Sequence, residues 1–375
     1  MNSRLRLFLT RLGVVGFILG GVHFYLFTHV VRLFGLLGSQ ITAAAVGTTL
    51  VFVLTMVLFP LAHMVPRRYA VPLHWVMYTW LGMVFLLLSA CIIGDISSIV
   101  LPINDWGSTP GWVTLGLVGV LSVLGLVSAR RLRLREVEVA IRQLPPGQDG
   151  LSIVQLTDLH VGATINGDWL RRVVARVNAL QPDIVAITGD LIDGSVADLA
   201  PHIVHLRDLR ATHGVFFVTG NHEYYSGAEE WVQHLGTLGV RVLRNERVSI
   251  GEGGLELAGV DDFAGRMLRG HGPDFARALG NRDAGRPVIL LAHQPKAIAE
   301  AASHGVDLVL SGHTHGGQIW PFRHLVPLQQ PYITGLHCHE DGPTQIYISA
   351  GTGYWGPPMR LGTVAEITRI VLRPA

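Results

Sequence analysis

The first third of the chain consists of four long apolar runs, each almost free of charged side chains. Crossing a bilayer takes about 20 residues of helix, and each run reaches or approaches that length. The runs cover residues 12–31, 36–59, 73–100 and 112–129. A cleavable signal peptide would account for only one of them. The pattern therefore predicts an all-α transmembrane domain of four helices over residues 1–129.

A different breaking signal separates each pair of runs. Arg32 and Gly35 follow the first run, and a stretch with prolines and two arginines, residues 60–72, follows the second. Residues 102–111, which contain proline and glycine, precede the fourth run. Because proline and glycine interrupt regular helices, we expect the helices to end in these stretches.

The pattern changes at residue 130. The segment "RRLRLREVEVAIRQLPPGQDG", residues 130–150, alternates apolar and charged positions and then breaks at "PPG", which predicts a basic juxtamembrane linker with an edge strand. From Leu151 onward, short apolar runs alternate with amphipathic stretches such as "GDWLRRVVARVNAL". This alternation is typical of an α/β sandwich, and we assign it to residues 151–375.

The composition agrees with a chain whose first part lies in a lipid bilayer and whose second part lies in water. Of 375 residues, 49% are hydrophobic and only 15% are charged. Residues from Arg130 onward carry 23 basic and 25 acidic side chains, so they lack the basic footprint of a nucleic-acid-binding domain. The two cysteines, Cys91 and Cys338, do not form a disulfide framework. Asp95, the one acid within a predicted span, fits either a functional role or a snorkelling or capping role.

The arginines predict the orientation, because cytoplasmic loops retain positive charge. Arginines precede the first span, lie between the second and third, and follow the fourth, whereas the opposite loops hold only Arg32. The first three groups are Arg4, Arg6 and Arg11; Arg67 and Arg68; and Arg130, Arg131, Arg133 and Arg135. We therefore expect a multi-pass protein of the cell membrane, with both termini and the second domain in the cytoplasm.

Polar side chains follow five of the predicted strands, at the point where each strand ends. They are Asp158 and His160, residues 189–193 ("GDLID"), residues 220–225 ("GNHEYY"), His293, and residues 312–317 ("GHTHGG"). In open α/β sheets the site lies outside the carboxyl ends of the strands. We therefore expect these five segments to converge.

Such a cluster has the chemistry of a metal centre. Carboxylates, neutral imidazoles and an amide oxygen together suit Mn²⁺, Fe²⁺ or Zn²⁺. The ligands are too many for one ion, whereas two ions sharing one carboxylate would use them all and form a clamp for displacement at phosphorus. The expected cofactors are therefore two divalent metal ions.

These motifs, in this order and spacing, resemble those of the calcineurin-like metallophosphoesterases. The matching elements are DxH, GDxxD, GNHE, a lone histidine and GHxH, spread over about 160 residues. The later "GHTHGGQ" and "GTGYWGPPMRLG" are similar to the bacterial YkuE/YaeI-like branch and its transmembrane relatives. The resemblance implies two packed mixed sheets flanked by helices, and a metal-dependent phosphoric ester hydrolase.

The resemblance also implies a role for each residue. The first metal would be held by Asp158, His160, Asp190 and His315, and the second by Asp190, Asn221, His293 and His313. A hydroxide bridging the two metals would attack the phosphorus. His222 would act as the general acid, and Asp193 would orient His222.

An apolar stretch follows the last motif and leaves two explanations open. Trp320 and its neighbours, together with Trp355 in the final loop, either pack in the core or form a rim that faces a bilayer. In that rim, Arg360 would neutralise a phosphate oxygen. We therefore expect Trp320, Trp355 and Arg360 to bind substrate.

The sequence favours a membrane-anchored phosphohydrolase that cleaves a phosphoester or pyrophosphate bond, with the lipid bilayer as partner and a lipid-linked substrate. Two alternatives remain open. One is a phosphodiesterase or phosphatase for soluble nucleotides or phosphoproteins. The other is a non-catalytic membrane sensor of metal, against which His222 argues because a sensor does not need a general acid.

Overall fold

The structure is a computed structural model, and it describes residues 3–100, 109–251, 254–268, 271–340 and 342–375. The chain divides into two compact units, one up to Leu126 and one from Val127 onward. Each unit is described separately below.

Four apolar helices make up the first unit, as predicted: α1 (Ser3–Phe34), α2 (Ser39–Met64), α3 (Arg67–Val100) and α4 (Thr109–Ala129). All four are long and apolar enough to cross a bilayer. The break expected over residues 60–72 is much shorter than predicted, because Pro60 lies inside α2 and Pro72 inside α3. Apolar helices tolerate an internal proline when neighbouring groups satisfy the freed carbonyl. Most of the break expected at 102–111 lies outside the described residues.

Asp95 connects two of these helices. Its Oδ2 accepts a hydrogen bond of 2.6 Å from the Tyr25 hydroxyl and lies 2.9 Å from His29 Nε2, while Oδ1 accepts one of 2.6 Å from Arg32. These three partners belong to α1, whereas Asp95 belongs to α3. The carboxylate therefore holds α1 against α3, beside a small apolar cluster that contains Leu26 and Val84.

The second unit contains two six-stranded sheets. The first sheet has the order β1 (Leu132–Ile141), β12 (Ala365–Pro374), β2 (Ser152–Leu156), β3 (Ile184–Ile187), β4 (Val215–Phe217) and β5 (Arg241–Val242). The last four of these strands are parallel, and β12 runs antiparallel to β2 but parallel to β1. The segment from residue 130 thus provides the edge strand, β1.

The second sheet is also mixed. Its order is β10 (Gly335–Cys338), β11 (Gln345–Ile348), β9 (Leu308–Ser311), β8 (Val288–Leu291), β7 (Leu255–Gly259) and β6 (Glu246–Ile250). The four inner strands are parallel and the two outer strands are antiparallel to them. Because four strands of each sheet run parallel, the carboxyl ends of these four strands lie along the same edge of that sheet.

Three apolar clusters define the layers. One cluster contains side chains from both sheets and lies between them. A second covers the outer face of the first sheet with α5 (Gly167–Ala179), α6 (Val196–Ile203) and α8 (Ala228–Thr237), and a third covers the second sheet with α9 (Phe275–Leu279) and α10 (Ile298–Ser303). This is the predicted α/β sandwich of two mixed sheets flanked by helices, and the prediction is confirmed.

Candidate metal centre

The backbone is unusual at most of the predicted metal ligands. A positive φ is uncommon for residues other than glycine, and such residues cluster at functional sites. Five of the seven predicted ligands have one: Asp158 (53°), His160 (47°), Asp190 (51°), His313 (71°) and His315 (51°). Each follows a strand directly or within a few residues, so the left-handed turn changes the direction of the chain where the ligand begins.

Two glycines give the carboxylates the space they need. A Cβ at Gly220 would collide with the carboxylate of Asp190, and a Cβ at Gly312 would collide with that of Asp158 and with the Thr157 hydroxyl. Glycine is the one residue that allows so close an approach between the backbone and these side chains. The glycines of the GNHE and GHTH motifs therefore set the separation between neighbouring strand ends.

Asp158, His160 and His315 form the first group of converging ligand atoms. His315 Nε2 lies 3.3 Å from Asp158 Oδ1 and 3.1 Å from His160 Nε2. All three residues are buried. A carboxylate and two ring nitrogens from two different sheets thus face a common point.

The second group consists of Asp190, His293 and His313. His293 Nε2 lies 3.2 Å from Asp190 Oδ2 and 3.2 Å from His313 Nδ1. Asp190 Oδ2 also lies 3.8 Å from His160 Nε2, which belongs to the first group. The carboxylate of Asp190 is therefore placed between the two groups.

The outward-facing nitrogens of two histidines are already occupied. His293 Nδ1 lies 2.8 Å from the carbonyl oxygen of Thr188, and His160 Nδ1 lies 3.0 Å from Asp193 Oδ1. A proton on each of these outer nitrogens leaves the Nε2 lone pair facing inward. This is the arrangement of metal-binding histidines, whose second ring nitrogen donates to a carboxylate or carbonyl.

Asn221 supplies a further test of whether these residues fit metal ions. Its Oδ1 is buried, and among the described residues it has no hydrogen-bond partner. A buried polar atom without a partner is costly and calls for an explanation. Because Asn221 follows Gly220, which packs against Asp190, a cation beside the second group would satisfy this oxygen.

His222 lies beside the predicted metal ligands and is held by Asp193. Its Nδ1 lies 2.6 Å from Asp193 Oδ1, and its Nε2 lies 4.0 Å from Asp190 Oδ2. The His222 side chain is 16% exposed, so one face remains open to solvent. The exposed rings of Tyr225 and Trp355 flank it, with centroids 5.4 and 5.9 Å from the imidazole.

Glu223, whose role the sequence left open, stabilises the turn that carries Asp190. Its Oε2 accepts hydrogen bonds from the N–H groups of Asp190 (3.0 Å) and Gly220 (2.6 Å), and its Oε1 accepts one from Leu191 (2.8 Å). Glu223 is fully buried. The signal that could have revealed this role is the glutamate three residues after Gly220, in the capping-box position of α7 (Asn221–Ser226).

Burial and neighbouring charges shift the pKa values within the site. Burial, together with the nearby carboxylate of Asp190, raises the pKa of Glu223 to about 7. Burial by itself lowers the pKa of His160, but the charges of Asp193, Asp190 and Asp158 outweigh it and raise this pKa to about 9. The carboxylates around His160 therefore favour a positive charge on its ring.

The structure places Arg360 beneath the site and not at its rim, which corrects the expected location. Arg360 is fully buried, and its guanidinium donates to the carbonyl oxygens of Gly353 (2.6 Å), Gly351 (3.3 Å) and His315 (3.3 Å). The path of the final loop determines this position, because the loop folds over the arginine. Trp320 and Trp355, in contrast, are 46% and 55% exposed.

Comparison with known proteins adds independent information. Residues 151–317 match the calcineurin-like phosphoesterase family. An uncharacterized metallophosphoesterase of Helicobacter pylori strain J99 is 47% identical over 225 residues, which are 60% of each chain. A transmembrane protein with metallophosphoesterase domain from Danio rerio is 40% identical over 274 residues, 70% of this chain and 62% of the relative.

A third relative is matched over most of its length. The uncharacterized metallophosphoesterase YkuE of Bacillus subtilis is 34% identical over 242 residues, which are 61% of this chain and 82% of the relative. The chain spans about 60% of the length of the first two relatives. The similarity covers the unit that carries the five polar strand ends, and the chain therefore belongs to the calcineurin-like metallophosphoesterase family.

Proposed function

We propose that this chain is a membrane-anchored, two-metal phosphohydrolase that cleaves a phosphoester or pyrophosphate bond in a lipid-linked substrate at the cytoplasmic face of the cell membrane. The observation that carries the proposal is the convergence of two ligand groups on either side of Asp190, with His222 beside them. The first group, with Asp190, would hold one divalent ion, and the second group, with Asn221, would hold the other.

The donor set suits manganese, iron or zinc, because it combines carboxylate, amide and imidazole ligands. When bound, two such ions activate a water molecule and neutralise the charge that develops on a phosphoryl group. Asp190, placed between the groups, keeps them at a fixed separation. A Cβ at Gly316 would collide with the Thr363 hydroxyl, and one at Gly317 with the backbone of Arg323, so these two glycines allow the loop after His315 to pack closely.

His222 is proposed as the general acid. Asp193 accepts a hydrogen bond from its Nδ1 and orients the ring, so that a proton on Nε2 would be directed into the site. Transfer of this proton to the departing oxygen would complete the cleavage. Since Asp193 also contacts His160 Nδ1, one carboxylate orients both the acid and a metal ligand.

Membrane anchoring is supported by four helices of sufficient length and by a relative that is named a transmembrane protein. The arginine distribution supports a cytoplasmic location for the second unit, from Val127 onward, which we call the catalytic unit. The lipid-linked substrate class is supported by two exposed aromatic rings that flank His222, those of Tyr225 and Trp355. A substrate with an apolar leaving group would contact them.

The direct test replaces His222 with alanine in the full-length, manganese-loaded protein. We expect turnover of the soluble diester bis-p-nitrophenyl phosphate to fall by about 10²- to 10⁴-fold, the usual contribution of a general acid, while metal content stays unchanged. His205→Ala, at a partly exposed histidine of another element, serves as the matched control. A protein that binds two metals and turns over nothing, with or without His222, would instead be a sensor.

A second experiment tests the lipid part of the proposal. Cleavage of a bacterial lipid extract in mixed micelles, followed by mass spectrometry, should identify a phospholipid or lipid pyrophosphate that disappears. If soluble nucleotide or phosphoprotein substrates are cleaved far faster than any lipid, the soluble-substrate alternative replaces the lipid proposal.

A further inference from the structure

Two consecutive turns of 3₁₀ helix after the metal site expose a row of apolar side chains. The turns are Phe322–His324 and Val326–Leu328. Phe322, Leu325 and Leu328 recur at three-residue spacing, which is one turn of a 3₁₀ helix, and they are 47%, 53% and 80% exposed. Val326, off this spacing, is buried. The segment therefore packs against the protein through Val326, and Phe322, Leu325 and Leu328 lie on its exposed side.

Two tryptophans extend this row. Trp320 and Trp355 are both about half exposed, and hydrogen bonds join their segments. The Gln318 amide donates to the carbonyl oxygen of Trp355 (2.8 Å) and accepts from the Trp355 N–H (2.9 Å). Trp320 N–H donates to the carbonyl oxygen of Leu361 (3.0 Å). We define the apolar patch as Trp320, Phe322, Leu325, Leu328 and Trp355.

The apolar patch reaches the candidate active site. The ring centroid of Trp355 lies 5.9 Å from that of His222. Gln318, which links the two segments of the patch, follows the metal ligand His315 by three residues. A surface that binds the Trp355 end of the patch therefore lies beside His222.

The charge pattern around the patch points to the chemistry of its partner. The sequence contains no acidic residue between Asp307 and Glu340 and none between Asp341 and Glu366. Both segments of the patch lie within these two acid-free stretches, and Arg323 lies inside the row. An apolar row that carries a cation, and whose own two segments contain no acid, matches the boundary of an anionic lipid headgroup layer, where tryptophan is also favoured.

A lipid surface is also the partner that the chain keeps within reach. Only Arg130 and Arg131 separate the end of α4 at Ala129 from the start of β1 at Leu132. A connection of two residues spans about 10 Å at most. The catalytic unit therefore stays next to any bilayer that α4 enters.

We propose that the apolar patch is a bilayer-docking surface, which inserts among anionic phospholipid headgroups and brings the opening beside His222 to the lipid. This inference rests on the proposed function only for the membrane anchoring. It concerns contact with lipid and does not require turnover, so the two proposals fail separately.

The test measures depth in the membrane at single positions. The full chain, with Cys338→Ser to remove the exposed native thiol, would carry Leu325→Cys or Leu328→Cys with a nitroxide label. It would be reconstituted in nanodiscs of phosphatidylglycerol and phosphatidylethanolamine. Gln233→Cys, at an exposed position of α8, is the control for a water-facing site.

We expect the ratio of collision with oxygen to collision with a nickel chelate to be several-fold higher at 325 and 328 than at 233. An equal ratio at all three positions would overturn the inference. So would loss of collision with both reagents at 325 and 328, because that indicates coverage by protein, including a second copy of this chain.

A charged variant provides a second measurement. Leu325→Asp with Leu328→Asp should prevent docking, so that a label at Phe322→Cys in this background becomes as accessible to nickel as the control. Hydrolysis of bis-p-nitrophenyl phosphate should stay within about twofold of the unsubstituted chain, which verifies that the catalytic unit is folded. A label that remains lipid-exposed despite the two aspartates would contradict docking by this row.

Discussion

Strained backbone is concentrated at the residues that converge on the candidate metal centre, and buried hydrogen bonds hold it in place. The carboxylate of Glu223 binds three N–H groups around Asp190, and Asp158 accepts a hydrogen bond from the His313 N–H. Positions in the left-handed region cost about 1 to 3 kcal/mol each when the residue is not glycine. A strained turn persists when surrounding contacts hold it in place. Here those contacts come from the carboxylates of Glu223 and Asp158, which belong to the site itself.

At Gly220, we predict that a single methyl group is sufficient to disrupt the second ligand group. Gly220→Ala places a Cβ against the Asp190 carboxylate, so the carboxylate must move. Elemental analysis of the manganese-loaded protein should show loss of bound metal, together with loss of activity.

Gly236→Ala is the matched control for this substitution. Gly236 lies in α8 with open space around its Cα among the described residues. Alanine there should leave the metal content intact and stabilise the helix by about 0.5 to 1 kcal/mol. Full metal content in Gly220→Ala would contradict the close packing that we describe.

Glu223→Gln tests the carboxylate that holds the Asp190 turn. Both oxygens of the Glu223 carboxylate accept hydrogen bonds, whereas an amide has only one acceptor oxygen and its NH₂ group would face a backbone N–H. We therefore expect the free energy of unfolding to fall by about 1 to 3 kcal/mol. Metal affinity, measured by competition with a chelator, should fall by about 10- to 100-fold. Glu230→Gln, at an exposed glutamate of α8, should change neither quantity.

The sequence predicted which residue types form the candidate site. It did not predict where the residues that contact and position them lie. Motifs placed Asp158, Asp190 and His293 at strand ends, because such residues directly follow apolar runs. Nothing local indicated that Arg360 is buried, since its location depends on contacts between the final loop and His315. Seven metal-ligand assignments and the roles of His222 and Asp193 stay predictions until metal binding is measured.

At the scale of elements, apolar runs located the strands but not their order. The runs before Asp158, Gly189, Gly220, His293 and Gly312 became β2, β3, β4, β8 and β9. No local pattern could reveal that β12, from the end of the chain, lies between β1 and β2. The helix boundaries at Pro60 and Pro72 were missed for a related reason, because the cost of a proline depends on its neighbours in space.

Helix α8 provides a stability prediction at this scale. Trp231 is fully buried against the first sheet, and its indole N–H donates to the carbonyl oxygen of Gly194 (2.9 Å). Trp231→Ala should lower the free energy of unfolding of the catalytic unit by about 3 to 5 kcal/mol. Denaturant unfolding would measure this loss, with Gln233→Ala on the exposed side of the same helix expected to change it by less than about 0.5 kcal/mol.

At the scale of the whole molecule, the chain combines a unit of four apolar helices with a sandwich that carries the polar chemistry. The division between the compact units falls at Leu126 and Val127, within α4. The segment predicted as a linker contains β1, which pairs with β12 from Leu132 opposite Ala365 to Ile141 opposite Pro374. The alternation of apolar and charged residues in this basic segment predicted the strand. It did not predict the pairing partner, β12, which lies near residue 375.

Removal of metal should affect the two units differently. A ligand that binds only the folded state stabilises that state, so a chelator should lower the unfolding temperature of the catalytic unit. The predicted ligands all lie in that unit, so the transition of the helical unit should not shift. Scanning calorimetry in nanodiscs, with and without chelator, would measure the unfolding temperatures of the two units. Equal changes in both temperatures would contradict a metal site confined to the catalytic unit.

Strand ends that are far apart in the sequence converge on either side of Asp190, and we propose that they hold a pair of ions that share this carboxylate. The most direct measurement is the metal content per chain of the purified protein after reconstitution with manganese, compared with that of Asp190→Asn. We predict two ions in the unsubstituted chain and fewer than one in the variant, because an amide has one neutral oxygen and cannot replace a charged carboxylate that two sites share. Fewer than one ion in the unsubstituted chain, or equal content in the two proteins, would contradict the account.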